Sequence, residues 1–503
     1  MFIRKKKNKS GVISVQVISK HTGKYKLLKT IGSSADAIAI ERLYAKAHQW
    51  IKKHTGSIEL DFTDYKTHTQ YAITGIESLH QAGIDLLLGK IFDEVGFNQI
   101  AAPLFKQLVV ARLCYPASKL KTTGYLEKYK GVTVDVNEVY RYLDVLYNTQ
   151  KELVQQISYN HTCKVAEHRI QLVFYDVTTI YFEIDEEDDL RKTGFSKEGK
   201  HQHPQILLGL LVSSGGYPLA YDIFEGNKFE GHTMLPVLDA FKLKYKLEKL
   251  VVIADAGLLS NENIQLLEAK GYTYILGARI KAMKQTVQEQ ILFQTYNNGE
   301  TKSITLNPTS KLIISYANNR AKKDAANRER GIAKLKKQIT TGKLNKAHIN
   351  NRGYNKFLDI ENEVKIKLNE GKVLADQKWD GLKGYITNTN LTNDEIIDNY
   401  KQLWQIEKAF RIAKTDLKIR PIYHRVQRRI EAHICIAFAA YKIYKELERQ
   451  LKQKQAAFCV EQAIDIAKTI QEIKIVHPVS KEVFTQLLLL TDEQKTIAKM
   501  FAF

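Results

Sequence analysis

The sequence predicts a mixed α/β fold with a mainly helical stretch on either side of a strand-rich middle. Three observations carry this. Two short apolar runs, 172–176 and 250–255, each end in a carboxylate, Asp176 and Asp255. Between them, 206–212 and 218–224 flank Ser213, Ser214, Gly215 and Gly216, the pattern of a hairpin. Helical periodicity covers 233–246 and 261–270, and a further strand is expected at 272–276. Strand, hairpin, helix, strand, helix, strand is a mixed α/β core.

The remaining elements follow in chain order. Residues 1–30 hold nine Lys or Arg and no acid, and 12–19 and 24–31 read as two strands around His21, Thr22 and Gly23. Residues 34–53 are expected to be helical. Amphipathic segments at 84–92, 103–113, 118–128 and 137–146 make the first third mainly helical. A helix-turn-helix within 75–165 and a purely structural bundle both fit that pattern. Residues 278–352 carry 16 Lys or Arg against four acids, which reads as a basic insertion containing a charged helix at 324–339. A strand is expected at 383–387. Residues 394–448 are strongly helical with a break near Pro421, and the last fifty residues read as helices.

Composition bounds the function. The 503 residues suit roughly three domains. The chain is 44% hydrophobic and 26% charged, which is globular rather than disordered. Its 76 basic residues against 55 acidic ones give a net charge of +21, which points to a polyanionic partner, nucleic acid before membrane. Cys114, Cys163, Cys435 and Cys459 form no CxxC pair, so a structural zinc site and a disulfide framework are not expected. That is a reduced, intracellular pattern. The basic start is followed by no apolar stretch, so no signal peptide is read. The longest apolar runs, 206–212 and 434–441, fall far short of the ~18 residues of a membrane span.

Three carboxylates stand out. Asp176 and Asp255 end strands, where functional groups of α/β sheets gather, and Glu407 lies in the late helical stretch. Three such oxygens are what a hard divalent cation needs, provided they converge. Around Glu407, Tyr400 and Lys414 are spaced by seven, so all three project from nearly one helix face, which Arg411 and Lys418 share. A metal ligand flanked by phosphate contacts and a solvated face of i,i+4 pairs both fit this spacing. Residues 418–429 hold Lys418, Arg420, Arg425, Arg428 and Arg429 and no acid, a backbone-binding pattern for DNA. Trp379 and Trp404 are weighed as platforms for a displaced base against ordinary core packing. The acidic run Glu183, Asp185, Glu186, Glu187, Asp188 and Asp189 reads as a solvated loop, and His201 and His203 lack the partners of a zinc set.

The stretch from Tyr400 through Glu407 to Lys414 resembles the Tyr-x2-Arg-x3-Glu-x6-Lys signature of DDE-type insertion-sequence transposases, the IS-four superfamily. Leu403 stands where the signature has Arg, and Arg411 is read as its replacement. Further stretches are similar to the same family. These are Phe174-Tyr175-Asp176-Val177-Thr178-Thr179, Gly194-Phe195-Ser196-Lys197 followed by Pro204-Gln205, Ile253-Ala254-Asp255-Ala256-Gly257, and Gly384-Tyr385-Ile386-Thr387-Asn388. The resemblance covers about 172–444 well and the first third loosely.

What the resemblance implies is a ribonuclease-H-like core. Its first Asp lies on the first strand, the second after the fourth strand, and its Glu on a later helix, with an insertion between the last two. Taken with the pattern readings of the flanks, the expected divisions are 1–60, a basic hairpin and helix for DNA-end contact; 61–168, helices for DNA binding or dimerisation; 169–278 and 381–450, the two parts of the core; 279–380, the basic insertion; and 451–503, a helical tail. The implied activity is cutting of phosphodiesters at element ends by Asp176, Asp255 and Glu407 holding two Mg²⁺ or Mn²⁺ ions, followed by transfer of the 3′-hydroxyl to target DNA. Tyr400, Arg411, Lys414, Lys418, Arg420, Arg425, Arg428 and Arg429 are the expected DNA contacts. The expected partners are terminal inverted repeats, target DNA and a second copy of the chain in a synaptic homodimer. The expected setting is the nucleoid of a prokaryotic-type cell. A catalytically inactive DNA-binding regulator and a nuclease without strand transfer are the alternatives.

Overall fold

The computed structural model describes residues 1–20, 23–55, 73–166, 170–184, 186–196, 199–258, 260–344, 349–350, 353–361, 365–477 and 481–503. Among the sequence readings, His21 and Thr22 of the hairpin turn, Asp185 of the acidic run and Lys197 lie outside these residues, as does part of the 61–168 region. The chain divides into two compact units, 1–78 with 474–485, and 79–473 with 486–503.

In the first unit, β1 (Phe2–Lys7), β2 (Ile13–Ser19) and β3 (Lys26–Ser34) form an antiparallel sheet. The expected basic hairpin is β2–β3, and β1 adds a third strand. Helix α1 (Ala37–Thr55) covers one face, where Ile40 and Ala47 pack on Val15 and Val17. The lysines of β1 are exposed.

The second unit follows the short strand β4 (Ile76–Gln81). Helices α2 (Lys90–Val95), α3 (Pro103–Cys114), α4 (Lys119–Lys130), α5 (Val136–Val145) and α6 (Lys151–Val165) come next, with π turns at Asp85–Gly89 and Leu146–Gln150. Ser118 and Asp135 cap α4 and α5 by accepting backbone N–H groups, the usual start signal for a helix.

The core strands are β5 (Leu172–Tyr181), β6 (Gln205–Ser213), β7 (Pro218–Glu225), β8 (Val251–Ala254) and β9 (Thr273–Ala278). Strand β5 is antiparallel to β6 and parallel to β8, and β9 is parallel to β8. Helices α7 (Met234–Tyr245) and α8 (Asn261–Ala269) make the crossovers. One strand, a hairpin, a helix and then the strand before the second carboxylate is the ribonuclease-H-like order that the resemblance implies. Every residue of β6 is buried, as its unbroken apolar run requires of a strand covered on both faces. Gly209 is the exception in that run for a steric reason: a Cβ there would lie 2.3 Å from the Tyr175 hydroxyl.

The basic block does more than interrupt this core. After α9 (Gln285–Phe293), its strands β10 (Thr301–Thr305) and β11 (Lys311–Tyr316) extend the sheet, giving the order β10-β11-β14-β9-β8-β5-β6-β7 once β14 (Leu382–Thr387) is included. What leaves the sheet is α10 (Asn318–Thr340), the hairpin β12 (Leu358–Glu361) and β13 (Lys365–Leu368), and α11 (Glu370–Gln377), around a small core of Leu335, Phe357 and Leu358.

The chain then forms α12 (Asn393–Lys401), α13 (Trp404–Thr415) and the long α14 (Gln427–Gln453). Helices α7 and α8 cover one face of the sheet, and α12, α13 and α14 the other. The helices of 79–165 pack their apolar sides on α14 in the same core. The tail is α15 (Val460–Thr469), β15 (Gln471–Val476), β16 (Val483–Leu488) and α16 (Asp492–Phe501). Two strands thus stand where only helices were expected; their half-exposed pattern of mixed apolar and polar residues has no clean period. Among the described residues no helix is long and apolar enough to cross a membrane.

Candidate active site

Side chains of a strand alternate between sheet faces, and this fixes where the two aspartates point. On β5, Phe174 belongs to the core beneath α13, while Val173, Tyr175 and Val177 belong to the core beneath α7. Asp176 therefore shares the α13 face. On β8, Ile253 belongs to the α13 side and Val252 and Ala254 to the other, so Asp255 continues onto the α13 side as well. The parallel register pairs Tyr175 with Ala254. Asp176 is the next residue on β5 and Asp255 the first beyond the end of β8, and adjacent strands run about 4.8 Å apart. Asp176 is half-buried, and its Oδ1 accepts the Val177 N–H at 2.7 Å.

Helix α13 brings Glu407 to this face. Ile406, Ala409, Phe410 and Ile412 seat it in the core, and Glu407 is left exposed one residue from the buried stripe. Before it, Tyr400 at the end of α12 is buried at 5% exposure and donates its hydroxyl to Asp255 Oδ1 at 3.2 Å. Burial, with the Asp255 charge adding to it, pushes the phenol far up, so Tyr400 keeps its proton and stays a donor.

Sequence reasoning missed Lys383. It lies on β14 with Tyr385 on the α13 face, and its Nζ sits 4.5 Å from the Tyr400 ring centre and 5.3 Å from that of Tyr385. Burial lowers its pKa, Arg320 lowers it further, and Asp255 and Glu407 oppose the fall. Lys383 is thus a cation within electrostatic reach of two of the three carboxylates. One lysine beside Gly384 in a short strand carries no signal of this; only the pairing of β14 with β9 reveals it.

Close packing holds Tyr400 in place. Gly277 on β9 lies directly beneath it: a Cβ there would stand 2.3 Å from the Tyr400 hydroxyl and 3.0 Å from the Ala256 nitrogen. Gly277→Ala is expected to displace Tyr400 from Asp255 and cost about 1–3 kcal/mol, as overpacking does. A Cβ on Gly257 would meet only Asp255 Oδ2, at 4.0 Å. Gly257→Ala should therefore stay within about 0.5 kcal/mol of the parent. Urea unfolding of the two variants side by side checks the contrast.

The other expected site residues are spread. Arg411 lines a cavity with Lys408 and with Tyr444 and Glu448 of α14. Lys414 is half-buried, and Lys418 and Arg425 are exposed. Arg420 lies 5.7 Å from the ring centre of Tyr181. Arg428 and Arg429 both bind Asp144, with bonds of 2.8 Å from Arg428 and 3.0 Å from Arg429. Trp379 is buried in the core beneath α7, whereas Trp404 is 51% exposed. In the acidic run, Asp188 accepts the Leu190 and Arg191 N–H groups and Glu187 that of Thr193, so these carboxylates organise their own loop. Among the described residues, no three His, Cys, Asp or Glu side chains stand close enough together to hold a metal ion.

The strand order and crossovers define a ribonuclease-H-like fold in which Asp176 and Asp255 share the sheet face that α13 covers. A family model described as the transposase DDE domain matches residues 167–443, more than half of the chain. The chain belongs to this family, whose members are metal-dependent DNA-cutting enzymes. Among curated proteins none matches the sequence. Among solved structures, a piggyBac transposase synaptic complex with hairpin DNA matches at 8% identity and a TM-score of 0.38, over 80% of this chain and 79% of that one. A Mos1 transposase paired-end complex matches at 13% identity and a TM-score of 0.16, over 47% and 74%. A Mos1 mariner paired-end complex with Mn matches at 11% and 0.15, over 46% and 72%. At these scores the likeness is loose.

Proposed function

We propose that the chain is the transposase of an insertion sequence of the IS-four kind, which cuts DNA at the element's ends and joins the 3′-hydroxyl ends to target DNA. The observation that supports this is the pairing of Tyr175 with Ala254, which sets Asp176 and Asp255 one residue further along neighbouring strands on the face that α13 covers, with the Tyr400 hydroxyl bonded to Asp255.

The donor set suits a hard divalent cation in kind: three carboxylates, two on adjacent strands and the third on the covering helix. Asp176, Asp255 and Glu407 are the residues that would hold Mg²⁺ or Mn²⁺. When bound, two such ions supply charge at the scissile phosphate and make an attacking hydroxyl available at neutral pH. In the structure the three do not stand together, and Asp176 Oδ1 accepts the Val177 N–H, a bond it would give up to face a cation. Tyr400 fixes the Asp255 carboxylate. Lys383 screens Asp255 from Glu407 and offers a positive charge to an incoming phosphate. Lys414, Lys418, Arg420 and Arg425 follow on the same stretch as backbone contacts, with Arg411 beside α14 and with Arg428 and Arg429 held by Asp144. Two copies of the chain, one per element end, complete the synaptic arrangement proposed here.

The test is cutting of DNA bearing the element's end, with Mg²⁺ and with a chelator. A nicked product that appears only with Mg²⁺ is expected. Supplying a pre-cut 3′-hydroxyl end should then give joined product with target DNA. Cutting without joining would replace this reading by a nuclease, and binding without cutting by a DNA-binding regulator.

A further inference from the structure

A second charged site lies on the side of α14 that faces the N-terminal helices. A cavity of about 680 Å³ opens between the end of α3, the start of α4 and the segment 418–424 that joins α13 to α14. Five of its fifteen lining residues are Lys or Arg, and none is Asp or Glu. Two of these cations are deeply placed: Arg112 and Lys119 are each 5% exposed. Among the described residues, Arg112 reaches only the Leu417 carbonyl, at 3.5 Å, and the Lys119 side chain has no hydrogen-bond or ion-pair partner. His433 donates Nε2–H to the Ile419 carbonyl at 3.1 Å, and its buried Nδ1 has no partner among them.

Such a cluster is costly. A buried charge without a counter-charge destabilises a fold, and an apolar residue of the same length would avoid that. The cations also oppose one another. Burial and Arg112 hold the Lys119 amine well below its usual range, and burial brings Arg112 down to about 10. His424 is lowered to about 3, by burial first and then by the charges of Lys119, Arg112 and Arg429. An anion entering the cavity would relieve every one of these conflicts at once. The donors are a guanidinium and an ammonium, the pair best suited to phosphate oxygens. The rim adds Tyr423, 71% exposed, which offers a face to a base attached to that phosphate, while Tyr115 is stacked on Tyr125 and Tyr140 lies under Arg429.

We propose that this pocket is a phosphate-binding site, separate from the carboxylate site, and that it seats a phosphate of the DNA strand. Lys119 and Arg112 grip the phosphate, and Lys418 and Arg420 guard the entrance. The pocket's preference for phosphate stands on its own residues; that the phosphate belongs to DNA rests on the function proposed above.

The experiment is thermal unfolding of the full chain in inorganic phosphate and in chloride at equal ionic strength, followed by competition between phosphate and a single-stranded oligonucleotide. Phosphate should raise the Tm more than chloride does. Lys119→Met should abolish that rise and, without phosphate, melt above the parent, because it removes an unpaired buried charge. Its affinity for the oligonucleotide should fall roughly tenfold or more, the weight of a charge-assisted hydrogen bond. Lys418→Ala, at an exposed position, should weaken phosphate binding without disturbing the core, and serves if Lys119→Met does not fold. Equal effects of phosphate and chloride, or a phosphate effect that survives both substitutions, would overturn the site. A Lys119-dependent phosphate effect that the oligonucleotide does not compete away would overturn its assignment to DNA. A chain that shows both effects yet cuts no end-bearing DNA would uphold the pocket and refute the transposase reading.

Discussion

Asp176→Asn, Asp255→Asn and Glu407→Gln are each expected to lose Mg²⁺-dependent cutting of end-bearing DNA by about 10³-fold or more while leaving the fold intact. Removing one carboxylate from a divalent-ion site forfeits several kcal/mol of charge stabilisation at the transition state, and ~1.4 kcal/mol is tenfold in rate. Each replacement keeps the shape and one oxygen. In Asp255→Asn the amide oxygen can still accept the Tyr400 hydroxyl, and in Asp176→Asn it can still accept the Val177 N–H. Asp255 and Glu407 are exposed, so losing their charge removes no buried pair. Thermal melts should therefore superimpose on the parent's, and DNA binding should hold or tighten, since a negative charge near the phosphates is gone. Residues that act as one unit do not add, so a double variant should be little worse than a single one. Near-normal cutting by any single variant would remove that residue from the mechanism.

The parts of this site that the sequence discloses are those set by local pattern. The apolar run of β5 and the run before Asp255 are legible because buried parallel strands are continuously hydrophobic. The helix around Glu407 is legible because its apolar residues recur at helical spacing. What stays hidden depends on pairing across long separations. Lys383 feels the charge of Asp255 only because β14 lies beside β9, and nothing local to 383–387 announces that neighbour. Arg428 and Arg429 look like free cations after an active-site helix, yet their partner Asp144 is 284 residues from Arg428. Strands β10 and β11 are obscured for another reason: the surplus of lysine and arginine in 278–352 dominates the eye, although Leu312, Ile313 and Ile314 are fully buried. Lysine can also be buried with nothing local to signal it: Lys442 is fully buried, donating to the Ser158 carbonyl at 3.0 Å and to Thr162 at 2.5 Å, with its Nζ 4.3 Å from the Tyr217 ring centre.

Arg328→Met is expected to destabilise the chain by about 3 kcal/mol, the toll of stranding one partner of a buried ion pair. Arg328 of α10 grips Asp380 with two parallel bonds, Nη1 to Oδ1 at 2.5 Å and Nη2 to Oδ2 at 2.6 Å, the fork geometry that makes arginine irreplaceable by lysine. The side chains are only 8% and 15% exposed, so water compensates little for the loss of either. The same turn is held a second time, where the Gly381 N–H donates to Asp324 Oδ2 at 3.2 Å. Asp376 nearby takes Lys281 and Lys356, each at 2.7 Å, and these two bonds lower its pKa against the burial that raises it. The helical insertion is thereby fastened to the residues that lead directly into β14. Loosening it should reach the active site through Lys383, three residues beyond Asp380. A double-mutant cycle of Arg328→Met with Asp380→Leu, followed by urea unfolding, separates the pair from its parts. The double variant should recover much of the stability that either single variant loses, because an apolar pair carries no stranded charge. A coupling below about 0.5 kcal/mol would show that the fork contributes nothing beyond its two halves.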